Sequence, residues 1–490
     1  MKRSGSPSAM VAVLSLTSLL PTLLQTLAIP LIPNFPVLLN ASPTDASWVV
    51  TITPLTGAIV TPVSGRLGDL FGKRRVLLLT LAAVITGTVI SALTSSLWPM
   101  VIGRGLQGLG MGVIPLAFGL LRDQLPPSRI GGAITLLSAT LGLGGAMGMP
   151  LAGLTAEHFN WHVLFWGSAG LGLLCALLTA LVVPESPQHA EGRFDVVGTI
   201  GLTVGLIVLL LPIVNGGQWG WGSTRTLGFG AAAIVVLLAW ARYQLRVGSP
   251  LVDLRVSARR PVLMANLATV AMGFAIFAML FAFPQILQAP TATGYGFGQS
   301  LVRSGLVVAT NGVVALLLTP VAARLIARYG ARLAMMLGAI LIAAGYVFVM
   351  LWTDSVIDIV VASSLIGAGA GISVAATSNL ITDAVPVTDT ASANGVNALM
   401  RSVGSATSTA VLTVVLAHAT ISLGSATLPA AEGFRTTFIV GAAAAIVGLL
   451  FSALIPTRTP MSGGPAQRPP ARRRVVRNQG DPDVRDILAG

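Results

Sequence analysis

Apolar runs of about twenty residues recur along almost the whole of this 490-residue chain, and they limit what it can fold into. A helix needs roughly 20 apolar residues to cross the hydrocarbon core of a bilayer. Hydrophobic residues make up 54% of the chain and charged residues only 9%, whereas soluble domains carry about 25% charged residues. The sequence therefore predicts an all-α polytopic membrane protein.

Fourteen runs are long enough to cross the membrane. The predicted spans are residues 10–33, 47–65, 76–95, 98–121, 130–154, 162–183, 194–214, 226–243, 262–287, 300–323, 332–352, 356–380, 391–416 and 435–455. An even number of spans places both termini on the same side of the membrane.

The distribution of basic residues predicts which side that is. With the N-terminus in the cytoplasm, 24 of the 29 Lys and Arg residues lie in cytoplasmic segments and three lie outside. The other two, Arg104 and Arg401, lie within predicted spans. Because cytoplasmic loops carry an excess of Lys and Arg, we expect a multi-pass protein of the cell membrane with both termini cytoplasmic.

The loop between the second and third spans reads GRLGDLFGKRR, residues 65–75. Its glycines permit a tight turn and close backbone approach. Asp69 among cations at a helix end indicates a charge clasp rather than a catalytic acid. The residues predicted to form this conformational gate are Gly65, Arg66, Asp69, Gly72, Lys73, Arg74 and Arg75.

A weak internal repeat predicts two homologous halves. At an offset of 258 residues, Pro62, Arg66, Leu67, Gly72 and Arg74 correspond to Pro320, Arg324, Leu325, Gly330 and Arg332. The second copy has Ala327 where the first has Asp69. The predicted organisation is an N-terminal six-helix bundle (1–185), two inserted transmembrane helices with linkers (186–260), a C-terminal six-helix bundle (261–456) and a disordered basic cytoplasmic tail (457–490).

The loop motif, the span number and the repeat together resemble the fourteen-span drug:proton antiporter branch of the major facilitator superfamily. The stretches FDVVGTIGL (194–202) and NGGQWGWGS (215–223) are similar to the insertion that this branch carries between its halves. The resemblance implies export of hydrophobic drugs or natural products by proton antiport with alternating access. It also implies a monomer that needs no cofactor.

Polar side chains inside predicted spans are the candidates for a transport pathway, because such residues are costly in a bilayer. Arg104, in GRGLQGLGMG (103–112), matches a second motif of the family, in which a span-4 arginine is tied to proton movement. A structural arginine bonded to backbone carbonyls is the alternative. The other candidates are Gln25, Asn266, Asn311, Asn397 and Arg401.

The fifth span is rich in glycine and resembles the family's antiporter-type helix. The matching residues are Gly142, Gly145, Gly148, Pro150 and Gly153, although Met149 stands where a glycine would precede the proline. This pattern favours close helix packing and a helix that can bend.

The first span departs from the family pattern, since Leu24 occupies the position of the usual membrane-embedded aspartate. Asp69, Asp123, and Glu157 with His158, are the remaining proton-carrying candidates. The missing acid leaves open a specific metabolite or lipid exporter, or a facilitator, without proton coupling. A non-transporting membrane sensor is a remote alternative.

The sequence offers no pattern for other classes of function. We find no nucleophile–base set and no phosphate-binding loop, so an enzyme is not expected. The single cysteine, Cys175, allows neither an intramolecular disulfide nor a cysteine metal cluster. The expected partners are a small hydrophobic substrate, protons and the lipid bilayer. The basic residues behind the net charge of +13 lie mostly in alternate loops, as membrane topology requires, so nucleic acid is not expected as a partner.

Overall fold

The computed structural model describes residues 6–28, 31, 35–41, 43–46, 48–186, 194–248, 250–385, 390–423 and 426–456. Long helices occupy most of this part of the chain. The predicted basic tail, residues 457–490, lies outside the described residues.

The described residues up to Val182 form nine helices. They are α1 (Pro7–Leu27), α2 (Phe35–Leu38), α3 (Pro43–Ala46), α4 (Trp48–Phe71), α5 (Lys73–Leu93), α6 (Leu97–Gly108), α7 (Val113–Gln124), α8 (Pro127–His158) and α9 (His162–Val182). A 3₁₀ turn, Leu109–Gly112, joins α6 to α7.

The middle and last parts of the chain are also mostly helical. The middle has α10 (Val196–Trp219), α11 (Thr224–Gln244) and the short α12 (Leu254–Ser257). The last part has α13 (Arg260–Gln288), the 3₁₀ turn Thr291–Thr293, α14 (Leu301–Leu317), α15 (Thr319–Leu351), α16 (Val356–Ala384), α17 (Thr390–His418), the strands β1 (Thr420–Leu423) and β2 (Ala426–Pro429), and α18 (Ala431–Ala453).

Short polar side chains fix several helix starts. The hydroxyl of Ser6 accepts from the backbone N–H of Ala9 at 3.2 Å, and the Asp195 carboxylate accepts from that of Gly198 at 2.7 Å. Ser355 caps α16 together with Asp358. The first N–H groups of a helix have no helical partner, so these caps satisfy them where each apolar run begins.

The fold class is confirmed. In the described ranges, eleven helices are long and apolar enough to cross a membrane. The 17-residue α14 continues into the first part of α15, and α4 and α17 have 24 and 29 residues. These helices account for all the predicted apolar runs, while the count of fourteen membrane spans stays a prediction.

Three local features differ from the predicted spans. The fourth span is interrupted by the turn Leu109–Gly112, because the closely spaced glycines Gly108, Gly110 and Gly112 weaken an α-helix. Helix α1 ends at Leu27, short of the predicted end at residue 33. The loop before α18 holds an antiparallel hairpin in which Thr420 pairs with Pro429.

The internal repeat has a structural counterpart at two glycines. Gly72 separates α4 from α5 with φ of +104°, and Gly330 breaks α15 with φ of +83°. Side chains disfavour this left-handed region, so glycine is the residue suited to both turns. We call the end of the bundle that carries residues 65–75 the basic end; Gly330 lies at the same end of the corresponding helix pair.

Two long helix contacts join the first and last parts of the chain. Helix α8 packs between α1 and α14, and α4 packs against α17. Helix α10 lies over the α4–α17 contact, where Leu202 and Leu206 join a cluster with Leu55 and Leu399. Helix α11 packs on α10, with most of its surface outside the bundle.

Candidate transport pathway and gate

A buried ion triad lies at the basic end. The Lys73 ammonium contacts Asp69 Oδ1 at 3.2 Å and Asp123 Oδ2 at 2.8 Å, with all three side chains fully buried. Asp123 also accepts a hydrogen bond from the Ser186 hydroxyl. Asp69 lies in the last turn of α4, Lys73 starts α5 and Asp123 lies in the last turn of α7, so one lysine ties three helices together.

The loop's arginines contact the segment after α9 instead. Glu185 accepts from the backbone N–H of Arg74 at 3.0 Å, and its other oxygen lies 3.8 Å from Arg75 Nε. The Arg74 guanidinium donates to the Ala180 carbonyl at 2.5 Å. A Cβ on Gly72 would lie 2.9 Å from Glu185, so the absent side chain admits this carboxylate.

The other residues of the predicted gate lie on α4. Gly65 is inside the helix, and Arg66 is buried with no partner for its Nε in the described structure. Sequence reasoning missed Glu185 as a partner of the loop and treated Asp123 as a proton site. Glu185 lies more than a hundred residues further along the chain, so only the fold reveals that contact.

Arg122 connects the first and last parts of the chain at the basic end. Its guanidinium donates to the Thr390 hydroxyl at 2.5 Å and to the Val385 carbonyl at 3.0 Å. Thr390 begins α17 and Val385 follows α16, whereas Arg122 lies in the last turn of α7. Sequence analysis counted this residue only as a loop charge.

Arg104 is 1% exposed and is bound to backbone carbonyls on two neighbouring helices. Its Nη1 donates to the Leu24 carbonyl at 2.9 Å and to the Gln107 side chain at 2.7 Å, while Nε donates to the Val49 carbonyl at 3.1 Å. Its Nη2 has no hydrogen-bond partner in the described part of the chain. Arg104 therefore binds the backbone carbonyl of Leu24, the position at which the family pattern has an acid.

The predicted polar residues of the last part separate into two places. Asn397 donates to Asn266 Oδ1 at 3.0 Å and to the Thr269 hydroxyl at 2.9 Å, on the helices that also flank Arg401. Asn311 lies elsewhere, with its amide 3.5 Å from the sulfur of Met279. Gln25 is partly buried on α1.

The antiporter-type helix α8 places its small residues at helix contacts. A Cβ on Gly153 would lie 3.1 Å from Val302 of α14, and one on Gly148 would lie 2.9 Å from the Leu27 nitrogen of α1. Gly142 and Pro150 face Gly312 and Gly305 of α14 in the same way. A Cβ on Gly145 would meet no atom within 4 Å, so this residue borders open space.

Of the second-choice proton sites, His158 is exposed at the end of α8 and lies 3.1 Å from the Leu154 carbonyl. The side chain of Glu157 lies outside the described structure. Asp123 is engaged by Lys73 and Ser186, as described above.

Long apolar helices, with glycines at their contacts and polar residues inside the apolar spans, are typical of a polytopic membrane transporter. A family model confirms this class: the chain belongs to the Major Facilitator Superfamily, whose model matches residues 11–306 and 267–481. Membership makes the chain a multi-pass membrane transporter rather than an enzyme.

The chain is similar to several curated drug-resistance proteins. It shares 30% identity with the tetracenomycin C resistance and export protein of Streptomyces glaucescens, over 77% of this chain and 70% of that protein. It shares 26% with the multidrug resistance protein Stp of Mycobacterium tuberculosis, over 76% and 68%. It shares 28% with the multidrug resistance protein B homolog of the same species, over 61% and 55%, so it spans little more than half of that relative.

A solved structure supports the fold. The crystal structure of the human organic anion transporter MFSD10 (TETRAN) matches with a TM-score of 0.62, covering 91% of this chain and 99% of that one. At 16% sequence identity, this likeness concerns the fold alone.

Proposed function

We propose that this chain exports small hydrophobic compounds across the cell membrane by alternating access of its two halves. The observation that carries the proposal is the pair of helix contacts, α8 with α14 and α4 with α17, in which glycines bring the two halves to backbone distance. Such contacts allow packed helices to slide and tilt without separating. The drug-resistance and export names of the relatives support the direction and the substrate class.

The basic end carries the features of a gate. Arg122 joins the halves there, and a Cβ on Gly395 of α17 would lie 2.9 Å from the Thr61 carbonyl of α4. Asp69, Lys73 and Asp123 hold the adjoining helix ends of the first half together. These contacts support a conformation in which the basic end, which we assign to the cytoplasm, is closed.

Proton antiport is the coupling that we assign first. The triad of Asp69, Lys73 and Asp123 places two carboxylates around one ammonium, for a net formal charge of −1. One added proton would neutralise it, and Asp123 directly follows Arg122 in the chain. Protonation of this cluster is therefore positioned to affect the contact between the halves.

Transport without proton coupling is the second candidate, and a specific contact favours it. The Leu24 carbonyl occupies one donor of Arg104, where an acid on α1 would supply a titrating partner. In this second candidate function, Arg104 only holds α1 and α4 together through their carbonyls. The exported compound is then a specific metabolite or lipid.

Drug accumulation in cells tests the exporter proposal. Cells without their own efflux pumps are loaded with ethidium and a panel of hydrophobic antibiotics that includes carboxylic acids, with and without this chain. We expect lower accumulation with the chain, and loss of that effect in Asp69→Asn and Arg104→Ala variants that still insert. Arg303→Gln, at an exposed position of α14, is the control. Unchanged accumulation with the wild-type chain would contradict export.

Proteoliposomes with an imposed pH gradient separate the two coupling candidates. A gradient that collapses when an exported compound is added supports antiport. Compound movement at the same rate with or without the gradient supports the uncoupled exporter.

A further inference from the structure

A small pocket lies among α13, α16 and α17, away from the gate. It is lined by Thr269, Met272, Gly273, Ile276, Ser373, Val374, Thr377, Asn397 and Arg401. Arg401 is eleven residues from the start of α17 and Ser373 is eleven from the end of α16, so both lie about 16 Å from the basic end. That distance places the pocket near the middle of the bilayer.

The free donor group in this pocket is a guanidinium. Arg401 makes no side-chain hydrogen bond or ion pair within the described structure. The hydroxyl of Ser373 faces α15 instead, because a Cβ on Gly338 would lie 2.1 Å from it. The amide of Asn397, by contrast, is already bound to Asn266 and Thr269.

The fold holds Arg401 where it is. A Cβ on Gly273 of α13 would lie 2.8 Å from the Arg401 carbonyl oxygen and 3.4 Å from its Cγ. Only a residue without a side chain admits this close approach. The arginine stem therefore packs against α13, and its position does not depend on an ion pair.

An unpaired guanidinium at mid-membrane is expensive, and the pocket supplies no acid to offset it. A guanidinium has five donors and no acceptor, and its planar fork matches a carboxylate or phosphate. A partner that satisfies Arg401 must be an acceptor, and an anionic one neutralises the charge. Met272, Ile276 and Val374 add apolar surface beside it.

Resting on the export function above, we propose that this pocket binds the acidic group of the exported compound, which is an amphipathic organic anion with an apolar body. Arg401 pairs with the anionic oxygens. The apolar lining residues contact the adjoining hydrocarbon part. This assignment narrows the substrate class from hydrophobic compounds in general to acidic ones.

Three fluorescent probes with one scaffold test the charge preference. Pyrene-butyrate is anionic, pyrene-butanamide is neutral and pyrene-butylamine is cationic, and binding of each to the purified full chain is measured by fluorescence. A charge-assisted hydrogen-bonded pair changes affinity by about ten- to hundredfold. We expect the butyrate to bind at least tenfold more tightly than the amide, and the amine to bind most weakly.

Variants assign the preference to the pocket. Arg401→Gln should remove the butyrate preference and leave amide binding unchanged, and Arg401→Lys should retain part of the preference. Arg303→Gln removes an exposed arginine outside the pocket and should change nothing. Size-exclusion profiles confirm that each variant is folded.

Equal binding of the three probes, no binding of any, or an unchanged butyrate preference in Arg401→Gln would overturn the anion pocket. The cell accumulation assay is read separately. Drug export by the wild-type chain with no preference for the anionic probe refutes the pocket and keeps the exporter, whereas absence of any export refutes both.

Discussion

The contact between α8 and α14 gives the sharpest stability prediction. A methyl group on Gly312 would lie 2.6 Å from the Gly142 carbonyl oxygen and 2.6 Å from the Leu143 Cα. Normal contacts between carbon atoms are about 3.5–4.0 Å. Both obstacles belong to the backbone, so no change of side-chain rotamer relieves them, and Gly312→Ala must move the helices apart.

The magnitude follows from two opposing effects. Overpacking a tight contact costs about 1–3 kcal/mol. Replacing glycine by alanine inside a helix gains about 0.5–1 kcal/mol. The net expectation for Gly312→Ala is a loss of about 0–2.5 kcal/mol. Gly145 lies on the facing helix α8, and a Cβ added there meets no atom within 4 Å. For Gly145→Ala we therefore expect only the gain in helix stability.

The pair is compared by unfolding of the purified protein in detergent and by drug accumulation in cells. We expect Gly312→Ala to unfold at lower denaturant concentration than Gly145→Ala and to export more slowly, because the two halves can no longer close along this contact. If the two variants show the same stability and the same export, the close contact does not exist as described.

Two further predictions concern charges. Lys73→Met leaves Asp69 and Asp123 buried without their shared cation and should lower the free energy of unfolding by about 3–5 kcal/mol, measured by denaturant titration. Arg75→Gln, whose side chain is 78% exposed, should cost less than about 1 kcal/mol. Leu24→Asp places a carboxylate on the residue whose carbonyl binds Arg104, and we expect it to make export depend more steeply on pH, measured as efflux rate against external pH.

Each of these two predictions has a result that would contradict it. Equal destabilisation by Lys73→Met and Arg75→Gln would mean that the triad is not a buried ion cluster. An efflux rate in Leu24→Asp with the wild-type pH profile would separate the Leu24 position from proton coupling.

Much of the fold could be predicted because the bilayer imposes span length. Runs such as 76–95 correspond to observed helices such as Lys73–Leu93 within a few residues. The repeat correctly paired Gly72 with Gly330, since a turn with positive φ restricts the residue type wherever it recurs. The break at Leu109–Gly112 was missed because hydropathy does not distinguish a 3₁₀ turn from a helix.

The site was less predictable because its contacts are tertiary. The sequence identified Asp69 and Lys73, but the roles of Asp123 and Glu185 depend on how α7 and the segment after α9 meet the loop. Arg104 was expected either to aid proton movement or to bind carbonyls, and its bonds to Leu24 and Val49 fit the second description. The unpaired state of Arg401 depends on three helices distant in sequence.

Alternating access is the central claim, and two distances in one molecule test it most directly. Cys175 is the only cysteine, so Cys175→Ser gives a background for spin labels. One pair, Ser128 and Tyr329, reports on the basic end, and another, Ser95 and Ala292, reports on the opposite end; all four residues lie at exposed positions.

The distances are measured by pulsed electron paramagnetic resonance with and without an exported compound. We predict opposite changes, in which the Ser128–Tyr329 distance lengthens as the Ser95–Ala292 distance shortens. Arg122→Gln should favour the state with the longer Ser128–Tyr329 distance even without compound. Distances that stay fixed, or that lengthen together, while the compound is exported would contradict the account.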